Sequence, residues 1–490
     1  MRWIVRRTVF VLCFALGTTT WYILAQQGKP FVTTAPPAEE ATVNQKNIPP
    51  DSDCAAAEDA AAIPGQSIKF GPVEPLYGTA NRRKIVLRES ADPSSAIVAR
   101  VEAGNYETAM ILDWTRDAMR VRFEANEGSA DDTAVRTQSY EGWTTWDAVV
   151  PLASAVVFDA ETGEVVARVP LGEGASSVIY SPDGSRAIFK SAGSEGGQTS
   201  YEVRMSDFKL TRSLRSSESE YVGALFYGPA DGALYATIHW LDSSPLGKEN
   251  HAGLFRIGEE GAPNALMDLE INEGAGVLSR DGLLWFFARP KSPGEDRLTV
   301  DVVELSTLTV RNTFTLFGEN VPSNANGFVL SPDGSELYER LYENTGVISV
   351  VDTRTGQVVR ELPESATEGW SYYSQDDLIG DSLLLRVSND GAGEMHESYG
   401  TYWVGSSGRA LAQKGISRAV ETGGKRYAVN EDGTRLFKLD EKNRIRERLP
   451  IARPEVFKGG KGAEGMSVFG LSATPDGKRI IMLLGFEHGC

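Results

Sequence analysis

The chain has 490 residues, a formal net charge of −18, 50 glycines, 23 prolines and 41% hydrophobic residues. That length allows two or three domains and a large core, while the acidic balance repels phosphate backbones and argues against a nucleic-acid partner. Short runs rich in Val, Tyr, Phe and Thr, with no sustained helical period, suit many strands joined by turns.

Residues 1–25 place Arg2, Arg6 and Arg7 before an apolar run from Thr8 to Ala25, the pattern of an export signal. If it is not cleaved, the run is just long enough to anchor the chain in a membrane. Removing those three arginines takes the net charge from −18 to −21. The expected location is periplasmic or extracellular, with any membrane contact confined to this segment. Cys54 and Cys490 are the two cysteines that survive cleavage, and they either pair or remain thiols.

Residues 26–75 hold eight prolines, two Ala-Ala-Ala runs and few large apolar groups. Such a segment cannot bury enough surface to fold and is expected to be a spacer. Residues 76–152 then read as a compact set of strands: Lys84 to Arg88, Ile97 to Val101, Thr108 to Asp113, Met119 to Phe123, and Glu141-Gly142-Trp143 leading to Val149-Val150. Leu87-Arg88, Pro93, Gly104, Trp114 and Gly142-Trp143 follow the order of a bacterial SH3 domain, which the unit resembles. A polar insertion, Glu124 to Ser139, interrupts that pattern before the last strand. The resemblance implies binding to cell-wall peptides or proteins. Tyr106, Trp114, Tyr140, Trp143 and Trp146 are the flat amphipathic side chains that could line a peptide groove; Trp114 and Trp143 could equally fill the small core.

From residue 153 onward the sequence repeats. Ser-Pro-Asp-Gly at 181–184 and 331–334 and Thr-Pro-Asp-Gly at 474–477 lie 150 and 143 residues apart, and weaker turns divide each gap into three. The resulting period of about 50 residues fits a four-stranded propeller blade. Asp159 to Gly163 and Asp352 to Gly356 share a second turn, Asp-x-x-Thr-Gly. In both turns Asp satisfies local backbone donors and Gly takes the left-handed position. These motifs resemble YVTN-type and WD40-like repeats over roughly residues 153–486.

With the Pro-Asp-Gly hairpin as inner strands A and B and the Asp-x-x-Thr-Gly hairpin as outer strands C and D, the domain opens with C and D and closes with A and B. The expected architecture is therefore all-β: a small SH3-like barrel, then a seven-bladed β-propeller over 153–490 closed by both ends of the domain. Six or eight blades are the alternatives, because the units near 369–387 and 400–430 are degenerate.

The A–B and C–D connections are short, whereas the longer ones are B–C and D–A: 191–200, 240–250, 289–297, 317–326, 388–399 and 452–467. Those two classes emerge on one face, which becomes the candidate binding surface. His239, His251, His396 and His488 fall at or after B strands on that face; His239-Trp240 and His251 flank one loop, and Glu394 and His396 share another. Imidazole beside carboxylate could hold a divalent metal, although polar residues also collect in exposed loops without any ligand.

Gly460 to Gly465 matches a dinucleotide-binding glycine pattern but lacks the strand and helix that pattern needs. No nucleophile-elbow, zinc-protease or phosphate-loop motif occurs. The sequence therefore points to a monomeric binding protein of the cell envelope, recognising a protein, glycan or small ligand, with no cofactor beyond a possible metal. The rival reading is a periplasmic propeller enzyme, lactonase-like or dehydrogenase-like.

Overall fold

The computed structural model describes residues 68–486 except 103–107, 128–135, 173, 192–196, 218–219, 229–230, 241–251, 259–263, 270–275, 280–282, 289–296, 318–327, 332–333, 340–347, 363–371, 380–381, 389–399, 405–409, 413–414, 431–432 and 450–465. Among the described residues every regular element is a β-strand. The expected export signal, all of the spacer before residue 68, Cys54 and Cys490 lie outside them.

Six sheets, each of four antiparallel strands consecutive in the chain, follow one another over 175–215, 220–269, 276–317, 328–362, 372–412 and 418–449. They form a propeller-like arrangement in which first strands neighbour first strands. Ala175–Tyr180, for example, lies beside Glu220–Tyr227. A further sheet draws on both ends of this region: Arg479–Phe486, hairpinned to Met466–Ala473, pairs antiparallel with Ala153–Asp159, which pairs in turn with Val165–Leu171. Arg479 also bonds Asp159 across that junction.

The turns work as their composition demands. Ser181 and Thr474 each accept a hydrogen bond from the amide five residues on, both at 3.0 Å, and donate to the turn aspartate, at 2.6 and 2.7 Å. Gly184 and Gly477 then take φ of 68° and 69°, a region costly for any side chain. Asp159 and Asp352 each accept from the amides two and three residues on, at 2.8–3.0 Å.

Strand alternation supplies the packing between sheets. In Leu284–Ala288, Trp285 and Phe287 pack with Phe226 and Leu254 of the preceding sheet, while Phe286 between them packs with Leu337 and Val351 of the following one. Each strand thus serves two interfaces. Inner strands approach closely where side chains are absent: a Cβ on Gly470 would meet the Ser176 carbonyl oxygen at 2.4 Å.

Residues 76–151 make a separate seven-stranded antiparallel sheet, in the order Ile97–Glu102, Lys84–Arg88, Arg136–Thr145, Ala118–Glu127, Thr108–Trp114, Leu76–Ala80, Val149–Pro151. Both ends of the expected polar insertion continue the central hairpin, with Glu124 opposite Ser139 and Glu127 opposite Arg136. These ends lengthen a ribbon because residues 124–127 and 136–139 keep the register of the strands they extend.

The end of the expected spacer also departs from the sequence reading. Lys69–Gly71 is a strand, pairing with Lys209–Arg215 as a fifth member of the first propeller sheet. Ile68 is buried between the first and second sheets, and Phe70 lies 3.8 Å from the Arg212 guanidinium. The chain therefore touches the propeller before entering the seven-stranded sheet. A strand of three residues carries little sequence signal, and its stability comes from a partner about 140 positions away.

Candidate functional site

In an antiparallel four-stranded sheet the A–B and C–D turns share one end, and the B–C and D–A connections share the other. The first end is occupied by the self-satisfied turns above. The second holds the sequence candidates, most of which fall outside the described residues: His251, Glu394, His396 and His488 all do. The backbones of His239 and Trp240 end the second sheet's B strand, with His239 opposite Tyr221 and Ala252. Among the described residues no group of three His, Cys, Asp or Glu is placed to hold a metal ion.

What is described at this end is the first sheet, and it is unusually polar inside. Ser191, Gln198, Thr199, Ser200 and Ser216 are all buried, as is Glu220 at the start of the second sheet. The Ser191 amide donates to Ser200 Oγ at 3.1 Å, and the Gln198 amide donates to Ser216 Oγ at 3.0 Å. The Ser216 amide returns a bond to the Gln198 carbonyl at 3.0 Å. Ser217 Oγ donates to Glu220 Oε2 at 3.1 Å. Buried polar atoms hold their positions only when so partnered, and the result is a fixed rim of hydroxyls and amides.

Lys190 stands on this rim. It ends the run Ala187-Ile188-Phe189-Lys190 and lies opposite Ser177 of the innermost strand, with Ser176 bulged out of register next to it. Ser176 and Ser177 are exposed and Lys190 is half-buried. Its surroundings are crowded enough that desolvation pushes the amine down to about 8. Sequence reasoning passed over this residue; the available signal was a lysine directly after the apolar run Ala187-Ile188-Phe189. At the other end of the innermost strand, the Tyr180 hydroxyl sits 3.2 Å from Ser472 Oγ of the neighbouring inner strand, and burial pushes its phenol up.

The aromatic candidates of the seven-stranded sheet separate into two groups. Trp146 is buried and donates from Nε1 to the Thr115 carbonyl at 3.1 Å; Arg168 of the propeller lies over its ring. Trp114 is covered by Lys209 of the propeller, whose Nζ is 4.4 Å from the ring centre and donates at 2.6 Å to both Asp113 Oδ1 and the Trp114 carbonyl. Burial opposes ionisation of Asp113, but the bonds from Lys209 and the Trp114 amide prevail and hold its carboxyl below the usual range. Leu76, Val149, Val150 and Trp146 also share one apolar cluster with Val156, Phe158 and Leu171 of the propeller. Trp114 and Trp146 therefore face the junction between the two regions. Tyr140 and Trp143, on Arg136–Thr145, are half-buried, Tyr140 packing against the same apolar cluster, and Tyr106 lies outside the described residues.

No protein-family model matches the chain, and no curated protein matches it. Solved structures do. Hydrazine synthase of Kuenenia stuttgartiensis aligns at 14% identity with a TM-score of 0.41, over 62% of this chain and 91% of that one. A chain of the mitotic checkpoint complex aligns at 9% identity and 0.40, over 68% and 93%. The Cps50 (Swd1) β-propeller domain of Myceliophteria thermophila aligns at 13% identity and 0.37, over 74% and 99%.

Proposed function

We propose that the chain is an exported cell-envelope binding protein: a propeller of seven blades, closed by both ends of the domain, recognises a protein, glycan or small ligand, and an SH3b-like sheet attaches it to cell wall or peptide. Closure is supported by the inner strand Met466–Ala473, which neighbours both Ala175–Tyr180 and Arg418–Thr422. The SH3b reading is supported by the motif order from Leu87 to Trp143, and the YVTN-like reading by the repeated turn chemistry. Export rests on the sequence of residues 1–25.

The observation that carries the platform reading is the junction. A tethering module on a flexible linker leaves its partner free to tumble. Here a shared apolar cluster and the Lys209 bonds to Asp113 and Trp114 pack the attaching sheet against the propeller. Attachment would then fix which way the long-connection face points.

Co-sedimentation of the purified full chain with isolated peptidoglycan sacculi tests this reading. We expect retention, reduced about fivefold or more by Tyr140→Ala and by Trp143→Ala under conditions where both variants remain folded. No retention, or equal retention by both variants, would remove the cell-wall assignment.

A further inference from the structure

Alternation sorts the residues of the seven-stranded sheet onto two faces. On one, Leu87, Ile111, Val121 and Phe123 join the apolar cluster shared with the propeller. On the other, register sets Arg88 opposite Trp143 and Trp143 opposite Arg120, and directly opposed residues present their side chains to the same face. An indole thus stands in a row between two arginines, on three adjacent strands. Neighbouring strands lie about 4.8 Å apart, which puts the two arginines about 10 Å from each other at the backbone.

Among the described residues, the carboxylates beside this row are engaged. Glu141 takes a fork from Arg122, at 3.1 and 2.8 Å, and a further bond from Arg120, so one carboxylate serves two guanidiniums. Asp113, opposite Arg120 on the other side, is bonded by Lys209 at 2.6 Å. Asp92, in the turn beyond Arg88, accepts from the amide and hydroxyl of Ser94 at 2.8 and 2.7 Å. Arg88 itself donates to the Ser95 carbonyl at 2.6 Å, a neutral acceptor that positions the guanidinium and leaves its charge in place. The Arg120 side chain is 48% exposed and Trp143 is half-buried. The row is cationic, aromatic and open to solvent, on a chain whose net charge is −18.

Two arginines flanking a flat ring suit a ligand with negative charge at two points and an apolar group between them. Carboxylates take charge-assisted bonds from guanidinium, and an indole gives an apolar side chain a surface to cover. The acidic remainder of the chain selects among anions. It repels a long polyanion such as nucleic acid, whereas a short acidic segment needs only to come within a screening length of the arginines, about 10 Å. In the three-residue repeat of a polyproline-like chain, side chains at i and i+3 share a side and lie about 9 Å apart, which matches the row. We propose that Arg88, Trp143 and Arg120 receive an acidic peptide segment with the spacing acid-x-x-acid, its two carboxylates on the arginines and an apolar side chain over the indole. This deepens the attachment reading and rests on its use of the seven-stranded sheet and Trp143, to which it adds the charge pattern of the bound peptide.

The test titrates the purified full chain, by calorimetry at low salt, with the capped synthetic peptide Glu-Phe-Ala-Glu and with its Gln-Phe-Ala-Gln counterpart. The acidic peptide should bind about tenfold or more tighter, and raising the salt to about 0.3 M should remove most of that advantage. Arg88→Gln and Arg120→Gln should each weaken it about fivefold or more. Arg446→Gln, the same change at an arginine exposed on Ile445–Leu449 of the sixth sheet, should alter it by less than about twofold and so controls for net charge. Equal binding of the two peptides, no binding of either, an equal loss in Arg446→Gln, or an oligonucleotide that binds as tightly as the acidic peptide would each overturn the proposal. If sacculi retain the parent and both arginine variants alike while the peptide fails to bind, this inference falls and the attachment reading stands. If the peptide binds as expected and sacculi retain nothing, the inference stands and the cell-wall assignment falls.

Discussion

In the first propeller sheet Arg212 reaches from the outermost of the consecutive strands to Glu202 on the strand inside it; in the fourth, Arg360 reaches from the same outer position to Glu336, two strands in. Both forks are bidentate, at 2.6 and 3.0 Å in the first and 2.9 and 2.7 Å in the fourth. Both acids also receive a tyrosine hydroxyl, from Tyr227 and from Tyr338. What differs is cover. The Glu202 side chain is 4% exposed and that of Glu336 is 25% exposed. The extra strand Lys69–Gly71 lays Phe70 on Arg212, and Arg186 and Thr211 close in on Glu202. Among the described residues the fourth sheet has no fifth strand. One charge pair on one scaffold becomes a buried network or a half-open one according to whether a neighbouring segment lies over it.

The largest consequence should follow from breaking the buried network. Replacing Arg212 with Met leaves the Glu202 carboxylate enclosed with its main partner gone. Removing one member of a buried pair costs about 3–5 kcal/mol, and we expect Arg212→Met to lower the denaturation midpoint by a corresponding amount. Restoring neutrality with Glu202→Gln in the same chain should recover part of that loss. A midpoint within about 1 kcal/mol of the parent would mean that the network is far more hydrated than its exposure indicates.

Acid should narrow that gap. Burial alone would raise the Glu202 carboxyl, but the bonds from Arg212 and Thr211 and the charge of Arg186 prevail and hold it below 4.5 in the folded state. A depressed folded value stabilises the protein above the unfolded value, and the contribution is lost as pH falls through the folded one. In Arg212→Met the strongest opposing influence is gone and burial acts on the acid with less resistance, so protonation relieves the variant while it weakens the parent. Melting both proteins from about pH 6 to about pH 3 should bring their midpoints together; a constant difference would mean that Glu202 does not titrate as its surroundings require. The other acids are common to both chains and cancel in the difference.

Much of this scaffold is legible in sequence because its turns are local. Ser181 to Gly184 and Asp159 to Gly163 each need only their own hydroxyl, carboxylate and glycine, so the motif carries the conformation with it. Turn order also gives the phase, and with it the pairing of Arg479–Phe486 with Ala153–Asp159. Features that depend on distant partners are not legible in this way. Lys69–Gly71 becomes a strand only because Lys209–Arg215 offers an open edge. Trp114 reads as core or groove, and nothing near it in sequence announces Lys209, 95 positions on. Glu202 looks like the outward residue of an alternating strand, Tyr201-Glu202-Val203, until the second sheet brings up Tyr227. Of the histidines, whose pattern the sequence displayed most openly, His251, His396 and His488 lie outside the described residues.

The smallest effect should come from the fourth sheet, and it sharpens the comparison most. Arg360→Met removes the same fork as Arg212→Met, but Glu336 keeps a quarter of its side-chain surface in water and the Tyr338 hydroxyl stays within 3.0 Å. Solvent can take over from the lost guanidinium, so the cost should be about 1 kcal/mol or less, in the range of exposed pairs. A double substitution at Arg212 and Arg360 should then lose the sum of the two, since the pairs share no partner and lie in different sheets. If Arg360→Met proved as damaging as Arg212→Met, the strand Lys69–Gly71 would no longer explain the difference between the two networks, and the fork alone would set the energy in both.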